Sequence, residues 1–322
     1  MASARAIKST ITGEAISRPR REKLSAVSEL AIKKGIAFDL CGVALLKIPI
    51  VPKQTSRHKQ MIANVSILLL CSLCIAYVGL NAYAAILADY LIFPAPASSY
   101  QDNATILKLQ TSDGETISAY YLPAGGDTKL LIYSHGNGED IGDARPLLEQ
   151  FTRHGVSALA YEYHGYGTSS GNPSEDGCYA AIEAAYAYAT QTLGYRSDQI
   201  TLYGRSLGSG PSSWLAEREA VAGLILDGAF TSTFRVLTHV KMLPWDKFDN
   251  YARLPQIQSP VLLIHGTEDR TVPFSHALKN WDAIEGSKHR FFVEGAGHGN
   301  LIELAGQTYW DTVIPFLKGD LK

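Results

Sequence analysis

Gly204-Arg205-Ser206-Leu207-Gly208 sets a serine between two glycines, each two positions away. An apolar run at 199–203 precedes it and a helix-forming run at 212–219 follows. This pattern predicts a sharp strand-to-helix turn that lifts the serine hydroxyl beyond the strand, over a helix N-terminus. A serine hydroxyl is a weak nucleophile at neutral pH and needs a base. His298, in Gly295-Ala-Gly-His298, is the candidate base, and Asp269, in His265-Gly-Thr-Glu-Asp269, the acid that orients it. The oxyanion formed by attack on an acyl carbon needs backbone N–H donors. Leu207 and Asn137 are the two expected donors, the latter from the loop Ser134-His-Gly-Asn137. Asp227 is an alternative acid and Glu268 a lesser rival. A lone Gly-x-Ser-x-Gly arises often by chance; the order Ser206, Asp269, His298 is what gives it weight. His135 and His164 read as loop-shaping residues, and Arg205 as either an ion-pair partner near the site or a packing residue.

The elements that must hold these groups alternate along the chain. Apolar, strand-like runs fall at 105–110, 115–122, 129–133, 156–161, 199–203, 222–226, 260–264 and 289–293. Helix-like segments at 145–151, 175–192, 212–219, 275–284 and 306–317 separate most of them. Asp113-Gly114 joins the first two runs as a hairpin. The expectation is an α/β fold with a mostly parallel eight-stranded sheet, helices on both faces and an antiparallel edge. Every candidate residue then lies in a loop beyond a strand's C-terminal end, where such sheets gather their chemistry. A short cap is expected at 231–259, where Phe234, Leu237, Met242, Leu243, Trp245 and Phe248 could line an acyl site or simply pack on the sheet.

Charge is unevenly spread over the 322 residues. Residues 1–60 hold 12 Lys/Arg against 4 Asp/Glu; the rest holds 17 against 27. The acidic balance of the larger part argues against nucleic acid as its partner. From Met61 to Ala88 no residue is charged, a run longer than the roughly 20 residues that span a bilayer. This predicts a transmembrane helix at 61–88, a linker at 89–104 and a catalytic domain at 105–322. A core helix or a cleaved signal, suggested by Ala82, Ala84 and Ala85, are the alternatives. Lys53, Arg57 and Lys59 before the run imply a cytosolic N-terminus and a catalytic domain across the membrane. Residues 1–60 read as a basic, poorly ordered or membrane-surface segment, untranslated if synthesis begins at Met61. The four cysteines suggest no metal or redox site, and no cofactor is implied.

Residues 105–317 resemble the alpha/beta-hydrolase superfamily. The resemblance rests on Ser134-His-Gly-Asn-Gly-Glu-Asp140, Tyr161-Glu-Tyr-His-Gly-Tyr-Gly-Thr-Ser-Ser-Gly171, Tyr203-Gly-Arg-Ser-Leu-Gly-Ser209, His265-Gly-Thr-Glu-Asp269 with Val272-Pro273, and Gly295-Ala-Gly-His298. Within it the chain is similar to a single-pass, membrane-anchored branch, to the protein depalmitoylases, and to many bacterial hydrolases. The depalmitoylases carry a cysteine-rich, acylated N-terminus; here a hydrophobic span stands in its place, which favours a general bacterial-type hydrolase. The resemblance implies hydrolysis of an acyl ester or thioester without metal or cofactor, on a small-molecule or lipid-like substrate. A peptidase or amidase ranks lower, since the cap lacks an acidic cluster, and a non-catalytic binding protein lower still.

Overall fold

The computed structural model describes residues 57–126, 128–238 and 240–321. The expected basic segment, apart from 57–60, lies outside them.

The apolar run forms one helix, α1 (Arg57–Ile92). It starts before Met61 and ends after Ala88, taking in the first residues of the expected linker. By length and composition it could cross a membrane: its most apolar 18-residue stretch has a mean hydropathy of 2.3. From Ala76 onward the chain forms one compact unit, described below.

Eight strands build its sheet: β1 (Ile106–Gln110), β2 (Thr116–Leu122), β3 (Leu130–Ser134), β4 (Ser157–Tyr161), β5 (Ile200–Arg205), β6 (Gly223–Asp227), β7 (Val261–Gly266) and β8 (Lys288–Val293). Their order is β1-β2-β4-β3-β5-β6-β7-β8. β1 pairs antiparallel with β2 and β2 with β4; the other pairs are parallel. The expected architecture is therefore the observed one.

The central strands are apolar on both faces because both faces are covered. Leu130 and Ile132 of β3 join one core with Cys178, Ala181 and Ile182 of α3 (Glu175–Ala187) and Leu215 of α4 (Ser209–Ala216). Leu131 and Tyr133, pointing the other way, join a second core. There they meet Leu148 and Phe151 of α2 (Ile141–Arg153) and Val313 of the C-terminal helix Gln307–Lys318. The two cores clamp the sheet, so the loops at its C-terminal edge sit on a rigid base.

Helix α2 begins four residues earlier than the expected start at Arg145. Pro146 reads as a first-turn residue, since proline lacks an N–H. The structure keeps it inside the helix because Asp140 is a strong cap. Its Oδ1 accepts from Gly142 N–H (2.9 Å) and Asp143 N–H (3.0 Å). Its Oδ2 accepts from Ser99 N–H at 2.6 Å, tying the chain after α1 to the start of α2. Burial opposes the Asp140 charge, but these bonds hold its carboxyl below the usual range. Removing them with Asp140→Ala should cost about 2 kcal/mol, read as a lower melting temperature in thermal unfolding.

Candidate active site

Ser206 has φ +50, in the left-handed region that a residue bearing a Cβ rarely adopts. The turn is held by close approach. A Cβ on Gly208 would lie 2.0 Å from the Ser134 carbonyl oxygen, and one on Gly204 2.4 Å from the Gly208 carbonyl oxygen. The two glycines thus let the turn pack directly on the β3 strand end. That contact brings the Ser206 turn against the loop after β3.

Asp269, Ser206's expected distant partner, is buried in the loop after β7. Its Oδ1 accepts from Thr271 N–H (2.9 Å) and Val272 N–H (2.8 Å). Its Oδ2 takes the His298 Nδ1–H at 2.6 Å. Burial works against the Asp269 charge, yet the bonds from His298 and Val272 hold its carboxyl below the usual range. His265 supports the same loop: its Nε2 contacts the Val272 carbonyl at 2.8 Å. His298 leans over Gly228, where φ is +61 and a Cβ would lie 2.9 Å from its ring. With Nδ1 occupied, Nε2 is the imidazole's free basic nitrogen.

Asp227 is placed differently. Its Oδ2 accepts from Tyr203 OH (2.9 Å), which also meets Tyr309 OH at 2.9 Å. Burial pushes its carboxyl up, against the pull of the Arg205 charge. The His298 hydrogen bond goes to Asp269, so Asp227 belongs to a buried tyrosine–arginine cluster. Glu268 makes its backbone bond to Ala296.

Arg205 takes the ion-pair role of its two readings. It reaches Glu139 at 3.3 Å, and Glu139 Oε1 accepts from Gly136 N–H at 3.0 Å. The residue before Ser206 therefore fixes the loop that carries Asn137. Asn137 donates its side-chain amide to the Ile92 carbonyl (3.0 Å), and its own carbonyl accepts from Tyr166 OH (3.1 Å).

Beneath this loop lies a buried pair that the sequence reading missed. His135 Nε2 stands 3.1 Å from Glu162 Oε2, both side chains fully buried. Nδ1 of His135 lies 2.7 Å from the Gly136 carbonyl, and Glu162 Oε1 accepts from Ile141 N–H at 3.0 Å. Both ring nitrogens face acceptors, a setting that suits the doubly protonated imidazolium. Burial pushes His135 down, but the Glu162 carboxylate beside it outweighs that effect and raises its basicity. The available signal was a charged residue directly after the mostly apolar, strand-like run at 156–161.

Ser206, Leu207 and Asn137 are among the residues that line a cavity of about 600 Å³. Phe234, Leu237, Met242, Leu243 and Trp245 of the segment between β6 and β7 line it. Phe248 does not. It is fully buried against Phe93 and Tyr179 (ring centroids 6.1 and 5.7 Å) and is a core residue. No cluster of three or more His, Cys, Asp or Glu able to hold a metal occurs among the described residues.

The family model for the alpha/beta hydrolase fold matches residues 129–243. Human alpha/beta hydrolase domain-containing protein 17B is 36% identical over 229 residues, spanning 70% of this chain and 79% of that protein. The chain belongs to the alpha/beta-hydrolase family. Alpha/beta hydrolase domain-containing protein 17C of Xenopus laevis is 35% identical over 224 residues, covering 68% of this chain and 71% of its own length. Among solved structures, a Pyrococcus furiosus esterase superposes with a TM-score of 0.60 at 17% identity, over 70% of this chain and 96% of that one. An Exiguobacterium antarcticum esterase gives 0.53 at 18% identity, over 66% and 98%. At such identities the structures bear on the fold. As an alpha/beta hydrolase of this family, the chain is an enzyme of the serine-hydrolase type.

Two outcomes follow from the loop geometry. Gly208→Ala should abolish activity, because the clashing atoms are backbone and cannot move aside; an ester assay beside circular dichroism checks this. Glu162→Gln strands the His135 charge. Breaking a buried pair costs about 3–5 kcal/mol. A raised folded-state value means the pair stabilises fully below the unfolded value of 6.5 and less as pH rises through the folded one. The melting-temperature gap between wild type and Glu162→Gln should therefore be widest in acid and narrow in base.

Proposed function

We propose that this hydrolase cleaves a carboxylic ester or thioester of an acyl substrate through an acyl-Ser206 intermediate. The observation that carries the reading is the 2.6 Å bond from His298 to a buried, ionised Asp269, in a unit whose apolar cavity is lined in part by Ser206.

In this mechanism His298 Nε2 removes the Ser206 proton as the hydroxyl oxygen attacks the acyl carbon. Asp269 keeps the proton on Nδ1 and balances the imidazolium. The oxyanion accepts hydrogen bonds from Leu207 N–H and Asn137 N–H; Gly136 N–H is already engaged by Glu139. When the carbonyl re-forms, the bond to the alcohol or thiol breaks and His298 protonates it. Water then attacks the acyl-serine by the same route, releasing the acid and restoring Ser206. The apolar lining favours an acyl chain over a polar one.

The same reading makes α1 a membrane anchor, with the basic side at Arg57 and Lys59 cytosolic. Asn103, in an Asn-x-Thr sequon and exposed, reports the side: expressed with eukaryotic microsomes, the full chain should gain a glycan there. An unmodified Asn103 would reverse the orientation.

Treating the full-length protein with a fluorophosphonate should label wild type and leave Ser206→Ala unlabelled. Equal labelling sinks the serine assignment. Asp269→Asn should lower kcat by about 10⁴-fold, and Asp227→Asn far less; the reverse ranking would make Asp227 the acid.

A further inference from the structure

The cavity above Ser206 has a second wall that no hydrolase motif supplies. Leu80, Tyr83, Ala84, Leu87 and Leu91 of α1 line it together with Phe234 and Leu243. The helix presents one stripe to the catalytic unit, with Ala84 half-buried and Ala88 and Ile92 buried. Three bonds fasten it: Asn137 to the Ile92 carbonyl at 3.0 Å, Tyr77 OH to the Met242 carbonyl at 3.4 Å, and the Lys247–Asp89 ion pair.

The rim of the cavity is apolar and open. Leu237 is 81% exposed, Leu91 70%, Tyr83 65% and Met242 56%. A soluble protein rarely groups such residues at one opening unless they meet a partner or a membrane. Length identifies which. At 1.5 Å per residue, the 36 residues of α1 extend about 54 Å, against a hydrocarbon core of about 30 Å. About 20 residues suffice to span it. The last turns are left for the catalytic unit, and those are the turns that line the cavity.

The geometry points to lateral entry. The substrate is a single long acyl chain resident in the bilayer, which slides between α1 and the Leu237–Met242 lip until its carbonyl reaches Ser206. This rests on the acyl-serine reading above and adds the source of the chain and the role of α1 as part of the binding site. The volume of about 600 Å³ lies within the roughly 300–1,000 Å³ usual for enclosed ligands.

The test uses the full chain in phosphatidylcholine vesicles, with 4-nitrophenyl palmitate and butyrate as substrates. Ala84→Trp narrows the wall and should lower the palmitate-to-butyrate ratio of kcat/KM by about tenfold or more. Leu237→Asp, at an exposed position that folding does not depend on, should lower that ratio in vesicles more than in detergent micelles. Ratios indifferent to both substitutions overturn lateral entry, while Ser206-dependent labelling and butyrate cleavage would leave the acyl-serine reading standing. Loss of labelling in wild type would instead overturn that reading first. A lysophospholipid and an S-palmitoyl peptide in the same vesicles separate the two carriers of such a chain. Cleavage of either supports the proposal; cleavage of neither, with the palmitate ester still turned over, overturns it.

Discussion

The site depends on a backbone contact: the turn after β5 packs on the end of β3 with no side chain between them. With a Cβ on Gly208 only 2.0 Å from the Ser134 carbonyl, nothing larger than hydrogen fits. The contact sets both the strained φ of Ser206 and the distance from that residue to the loop bearing Asn137. Strain of this kind costs about 1–3 kcal/mol and survives only where the surroundings over-determine it. Here two apolar cores on either side of the sheet supply that constraint.

A second layer of interactions makes the loop after β3 rigid without touching the reacting atoms. Arg205 holds Glu139, Glu139 holds Gly136 N–H, and the buried His135–Glu162 pair lies beneath. Tyr163 OH adds a bond to the His135 carbonyl at 2.6 Å. Donors aimed at a developing oxyanion are effective when they need not reorganise as charge appears. A loop tied at His135, Gly136 and Glu139 satisfies that requirement.

The strands and their order of alternation were legible because apolar runs leave a local mark, and the His298–Asp269 bond joins two residues that the sequence offered as partners. Asp227 remained open beside Asp269 for a physical reason. Both follow apolar strands, and only the fold shows that Tyr203 and Arg205 surround one while His298 meets the other. Phe248 looked like its apolar neighbours 234–245, yet its contacts with Phe93 and Tyr179 are set by segments far apart in sequence. The start of α2 was obscured because Pro146 resembles a helix-initiating residue, although Asp140 caps the helix through the Gly142 and Asp143 N–H groups. Glu162 stood out as a charge after a strand-like run, but its pairing with His135 spans two loops and only the fold shows it.

The bond from Asn137 to the Ile92 carbonyl has a mechanical side. It makes the last turn of α1 a rigid lever attached to the loop beside Ser206. The Lys247–Asp89 pair clamps that lever from the opposite lip. Any tilt or piston displacement of the helix end must break these links or drag the loop with it. The family model matches only from residue 129, yet the loop beside Ser206 is already bonded to the end of a helix that precedes it.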